Sequence, residues 1–159
     1  VKTLEHFSES VDVMPTILDW LGLGIPDQCD GRSLLPFLKN EVPRNWREEV
    51  HSEFDFRWIG SYQPMIEERF GLLPDECSLV IIRDADYKYV HMTALPPLFF
   101  DLKRDPGEFI NRVQDPDYRK LVLKYSSKML SWMMNHRDRV LANMNVEFGE
   151  LIHWRGPRN

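Results

Sequence analysis

After Asp12, apolar residues recur at helical spacing: Met14, Ile17, Leu18 and Leu21 fall on one side of a helix. Ser10 or Asp12 can cap it, with Pro15 tolerated in the first turn, and Gly22, Gly24 and Pro26 stop it. The stripe is expected to face a core. Ser33 to Leu38 reads as a short helix following an Asp30-Gly31 turn. After a polar connection containing Pro43, the period changes from helical to two. His51, Glu53, Asp55 and Arg57 alternate with Ser52, Phe54, Phe56 and Trp58, which predicts a strand over Glu49 to Trp58.

Further along, a short helix is expected near Met65 to Phe70. Cys77 to Arg83 and Tyr87 to Met92 are rich in β-branched and aromatic residues, and the Asp84-Ala-Asp86 link makes them an antiparallel hairpin. Leu98 to Leu102 follows as another strand, and Asp105-Pro-Gly-Glu108 as a turn. Asp115 caps a long helix opening at Pro116, whose stripe is Tyr118, Leu121, Val122, Tyr125, Met129, Trp132 and Met133. From about Asn143 no period is evident, and this tail is read as a loose or packing arm.

The order predicts an α+β fold: a small antiparallel β-sheet covered by a long C-terminal helix and preceded by an N-terminal helix. Three units are expected: residues 1–42 (helix and linker), 43–142 (sheet plus helix) and 143–159 (tail).

Composition narrows the function. With 159 residues, 43% hydrophobic and 28% charged, the chain can bury a core. A net charge of −5 argues against a nucleic-acid surface, and no apolar run has the length of a membrane span. Cys29 and Cys77 show no metal-type spacing, and there is no Asn-x-Ser/Thr sequon, so two thiols in a cytoplasmic protein are expected. The chain opens on Val1 rather than Met, as a fragment or processed chain would.

Candidate chemistry is sparse. His51, Glu53 and Asp55 share a strand face, yet such neighbours stand about 7 Å apart, too far for three to grip one ion unaided. Arg57 on that face repels a cation, so a solvated or interface face is expected there. Tyr87, Tyr89 and His91 share a face that can contact a ligand, or pack against another layer. His136 reads as a boundary histidine, and Met129, Met133 and Met134 around Trp132 read as core. Trp132, Trp154 and Arg155 offer an oligomer contact. No catalytic residue is predicted: both cysteines neighbour acids, and no phosphate loop, Gly-x-Ser-x-Gly or His-Glu-x-x-His occurs.

Three groups of residues resemble a known family. They are Val11-Asp-Val-Met-Pro-Thr-Ile-Leu with Asp30-Gly-Arg-Ser-Leu, and Asp86-Tyr-Lys-Tyr-Val with Leu98-Phe-Phe-Asp-Leu-Lys-Arg-Asp-Pro-Gly-Glu-Phe-Ile-Asn111. The third is Trp46-Arg with His51-Ser-Glu-Phe-Asp-Phe-Arg57 and Ala94-Leu-Pro-Pro-Leu-Phe-Phe-Asp101. Together they resemble the C-terminal part of sulfatases of the alkaline phosphatase superfamily, in the pattern of the phosphonate monoester hydrolases, from about Phe7 to about Val140. The resemblance implies a parent enzyme using a divalent metal and a formylglycine made from Cys (or Ser) in a Cys-x-Pro-x-Arg motif. This chain departs from that pattern: two residues after Cys29 stands Gly31, after Cys77 stands Leu79, and Asp-His-Gly is absent. It is therefore expected to lack the catalytic half and its cofactors, to partner that half, and to help wall its cleft and assemble oligomers. His51, Glu53, Arg57, Tyr89 and His91 are the candidate cleft residues. A stand-alone binding or oligomerisation module is the alternative.

Overall fold

A computed structural model describes residues 3–26, 29–55, 68–73, 76–136, 144–147 and 150–153, the side chain of Asp55 and those beyond His136 excepted. After a 3-10 turn at Ser10–Asp12 come α1 (Val13–Trp20), α2 (Leu35–Leu38), β1 (Glu49–Asp55), β2 (Ser78–Asp84), β3 (Tyr87–Met92) and β4 (Leu98–Asp101). A second 3-10 turn, Pro116–Tyr118, leads into α3 (Arg119–His136), followed by β5 (Met144–Glu147) and β6 (Glu150–His153).

The four central strands form an antiparallel sheet in the order β1-β2-β3-β4. Register sets His51 opposite Ile82, Ile82 opposite Tyr89 and Tyr89 opposite Phe99. These residues share the face that α3 covers. Ile82, Tyr89 and Phe99 from the sheet meet Tyr118, Tyr125 and Met129 in one buried cluster, with Leu121, Val122 and Met133 packed against it. Phe99 is fully buried, worth about 1.5–3 kcal/mol for its side chain. Tyr125 meets its ring edge-on with centroids 5.5 Å apart.

The polar ends of the buried tyrosines are satisfied. The Tyr118 hydroxyl donates to Asp101 Oδ2 at 2.7 Å, and the Tyr125 hydroxyl donates to Asp84 Oδ2. Burial and that carboxylate push the Tyr125 phenol far above its ordinary range. Asp84 Oδ1 also accepts from the backbone N–H groups of Asp86 and Tyr87, closing the β2–β3 turn. The Asp105-Pro-Gly turn ends on Asn111, whose Oδ1 accepts from the N–H of Phe99 and of Val113.

The α+β layout agrees with the sequence reading, and Asp115 does cap the long helix, accepting from the Asp117 N–H at 3.1 Å. Two expectations need correction. The stripe Met14, Ile17 and Leu21 does not face a core: all three are exposed, because no described layer lies over it. Met134 is not core but 70% exposed on the outer side of α3. Within the tail, β5 and β6 pair antiparallel from Met144↔His153 to Glu147↔Glu150. Finally, β1 is described only as far as Asp55. Phe56, Arg57, Trp58 and most of the helix read at Met65 to Phe70 lie outside the described residues, as do Trp154 and Arg155.

Candidate functional site

The two N-terminal pieces that stand out in sequence are stitched to each other around Asp12. Its carboxylate is fully buried and every bond it makes is strong. Arg47 grips it from both guanidinium nitrogens at 2.6 Å. The N–H of Arg32 donates to Oδ1 and that of Glu9 to Oδ2, both at 2.8 Å. A bidentate guanidinium with two backbone donors is what an ionised buried carboxylate needs. Thr16 continues the stitching: its Oγ1 donates to the Asp12 carbonyl and accepts from the Leu34 N–H. Ser33 Oγ donates to Asp19 at 2.5 Å. Gly31 sits where a Cβ would fall 1.9 Å from the Val11 carbonyl oxygen, so no side chain fits there.

Arg47 also pairs with Glu9 at 2.8 Å, and Glu9 Oε1 accepts from the backbone N–H of His51 at 2.7 Å. The knot thereby reaches the sheet edge. There the His51 ring lies flat on Trp132 of α3, with centroids 4.3 Å apart and planes at 3°. His136 also stacks on Trp132, at 4.8 Å, and its Nδ1 is 2.8 Å from the Trp132 carbonyl. Glu49 binds Lys128. Burial holds the His51 imidazole below its ordinary pKa, against the pull of Glu49 and Glu9, and with help from His136 and Lys128.

A cleft of about 920 Å³ opens beside this seam, bordered by Glu9, Asp30, His51, Glu53, Trp132 and His136. Of the candidate cleft residues, His51 and Glu53 line it together. Tyr89 belongs instead to the core, where burial raises its phenol pKa, and its hydroxyl lies 3.2 Å from Nδ1 of the exposed His91. Arg57 is outside the described residues. Glu9, Asp12, Arg47 and Trp132 complete the arrangement and were not singled out as a group by spacing. The signal available was the pair Trp46-Arg47 within the family pattern.

What the site can do chemically is bind and position. Among the described residues no three His, Cys, Asp or Glu side chains are gathered to hold a divalent metal. Cys29 and Cys77 are buried thiols, and neither stands in the formylglycine pattern, Cys-x-Pro-x-Arg. No helix among the described residues is long and apolar enough to cross a membrane.

Comparison with known proteins identifies the family. Residues 2–135 match the family described as N-sulphoglucosamine sulphohydrolase, C-terminal. The multifunctional alkaline phosphatase superfamily protein PehA of Trinickia caryophylli is 57% identical over 139 residues, covering 87% of this chain and 27% of that protein. The crystal structure of the phosphonate monoester hydrolase of Agrobacterium radiobacter superposes with a TM-score of 0.82 at 40% identity, over 96% of this chain and 30% of that one. The phosphonate monoester hydrolase SpPMH of Silicibacter pomeroyi gives 0.81 at 36%, with the same coverage. The chain thus spans under a third of the length of these relatives.

Proposed function

Because the chain belongs to the N-sulphoglucosamine sulphohydrolase C-terminal family, we propose that it is the C-terminal subdomain of a hydrolase acting on sulfate, phosphonate or phosphate esters. In this reading it does not perform the reaction. It packs against a catalytic region, forms one wall of the cleft and contributes to assembly with further copies. Formylglycine and a divalent metal, which supply a nucleophile and charge stabilisation in such chemistry, belong to that catalytic region. The buried thiols Cys29 and Cys77 support a cytoplasmic setting.

The observation that carries the proposal is α1. The knot at Asp12 holds this helix rigidly, yet its apolar side is turned outward: Met14, Ile17 and Leu21 are exposed, and Trp20 is 72% exposed. Val11, Val13, Leu23 and Ile25, in and beside the helix, are exposed as well. A contiguous apolar patch on a well-ordered element marks an interface. Relatives more than three times as long supply the candidate occupant, the region of their chains that lies outside the match to residues 1–159.

The experiment is a chimera that places the unmatched region of PehA ahead of residues 1–159. It is expected to hydrolyse an aryl phosphonate monoester, and Ile17→Asp with Trp20→Asp is expected to cut that activity at least tenfold. An equally active double variant would remove α1 from the interface. A dimer of residues 1–159 that the same double variant splits, with chimera activity untouched, would favour the assembly-module reading.

A further inference from the structure

The seam between β1 and α3 holds a group of ionisable side chains that docking through α1 does not use. His51 is at its centre. Its side chain is only 8% exposed, and among the described residues its Nε2 meets no hydrogen-bond partner. Glu49 Oε1 stands 3.7 Å from Nε2 and Glu9 Oε1 4.0 Å from Nδ1, both beyond hydrogen-bond length. These carboxylates already have cations: Lys128 of α3 on Glu49 and Arg47 on Glu9. From α3, Lys128 and His136 also face the ring. Asp30 and Glu53 border the same cleft. Trp132 and His136 lie in the last turns of α3, the end of the helix farthest along the chain from Tyr125.

We propose that this seam is a proton-operated clasp: uncharged His51, stacked on Trp132, holds the C-terminal turns of α3 to β1 and to the N-terminal segment, and protonation of His51 releases them. A neutral imidazole loses little by lying buried on an indole. An imidazolium there must give up hydration while its nearest carboxylates are already engaged, and it faces Lys128 and His136. Some cation–π attraction to Trp132 returns, but burial is the larger effect at this ring.

The sign follows from linkage. The folded state binds the proton less readily than the unfolded chain, whose histidine titrates near 6.5. The clasp's contribution is therefore complete above that value and is lost as pH falls through the lowered folded value. Because Tyr125 and Met129 anchor α3 in the core, release is local to its last turns and leaves the sheet intact. The inference stands independently of the hydrolase reading.

The test combines a histidine-ring NMR titration with amide hydrogen exchange on residues 1–159, corrected for intrinsic rates, at about pH 7.5 and about pH 5.5. His51 is expected to titrate below 6.5. Protection of residues 128–136 should drop about tenfold or more on acidification, while that of Ile82 and Tyr89 stays. His51→Phe keeps a ring on Trp132 and should lose the pH response. Titration at or above 6.5, or an unchanged response in His51→Phe, would overturn the clasp. Should that variant misfold, Glu49→Gln removes a carboxylate that favours the charged ring and must move release to lower pH; no movement would also overturn it.

Discussion

Two polar clusters tie this chain together, and they are built on opposite principles. At Asp12 a buried charge has every acceptor position engaged, by Arg47 twice and by the N–H groups of Glu9 and Arg32. At His51, some few residues away along the same network, a buried ring has one nitrogen without a partner among the described residues and two carboxylates just out of reach. The first arrangement admits one geometry, and removing any member leaves a charge stranded. The second is held by stacking and by a partly exposed ion pair, and in the proposed clasp its strength changes with a proton. The rigid cluster lies beneath α1, the helix whose apolar side is exposed. The adjustable one lies under the end of α3, beside the cleft.

Breaking the knot should therefore cost most. Arg47→Ala leaves Asp12 buried without its cation and is expected to lower unfolding free energy by about 3–5 kcal/mol. Arg47→Lys should recover only part, because an ammonium cannot make the paired contact. Denaturant midpoints will rank the two. Gly31→Ala acts on the same knot by crowding rather than charge. Its Cβ would overlap the Val11 carbonyl, and a loss of about 1–3 kcal/mol is expected in the same measurement. Lys128→Met, at the seam, should change stability at neutral pH by no more than about 1 kcal/mol, since that pair is partly exposed. Its readout is elsewhere: without Lys128 facing it, and with Glu49 released, His51 should titrate at higher pH than in the parent chain. A Lys128→Met loss as large as that of Arg47→Ala would erase the distinction between the two clusters.

Much of this was visible in the chain itself, and the exceptions have a common cause. Helix α3 announces itself through Asp115, Pro116 and a stripe from Tyr118 to Met133, all local signals. The β2–β3 hairpin is likewise local, since Asp84 makes its turn with its own neighbours. Periodicity also placed His51 and Glu53 on one strand face. What it could not give was the other side of each contact. Asp12 meets Arg47 across 35 positions, and Trp132 covers His51 from a different element. The stripe on α1 was seen correctly as apolar, but spacing says that a face is oily, not what covers it. The β5–β6 hairpin was missed because four-residue strands leave too short an alternation to count. The family pattern fills part of this gap: Val11 to Thr16 and Asp30 to Leu34, which carry the resemblance together, bond to each other here.

The central claim is that these residues support a hydrolase without performing its chemistry. The most direct test is turnover of an aryl phosphonate monoester and an aryl sulfate by purified residues 1–159, with divalent metal added. The account predicts no hydrolysis above buffer. Saturable, metal-dependent turnover that persists through repurification would contradict it.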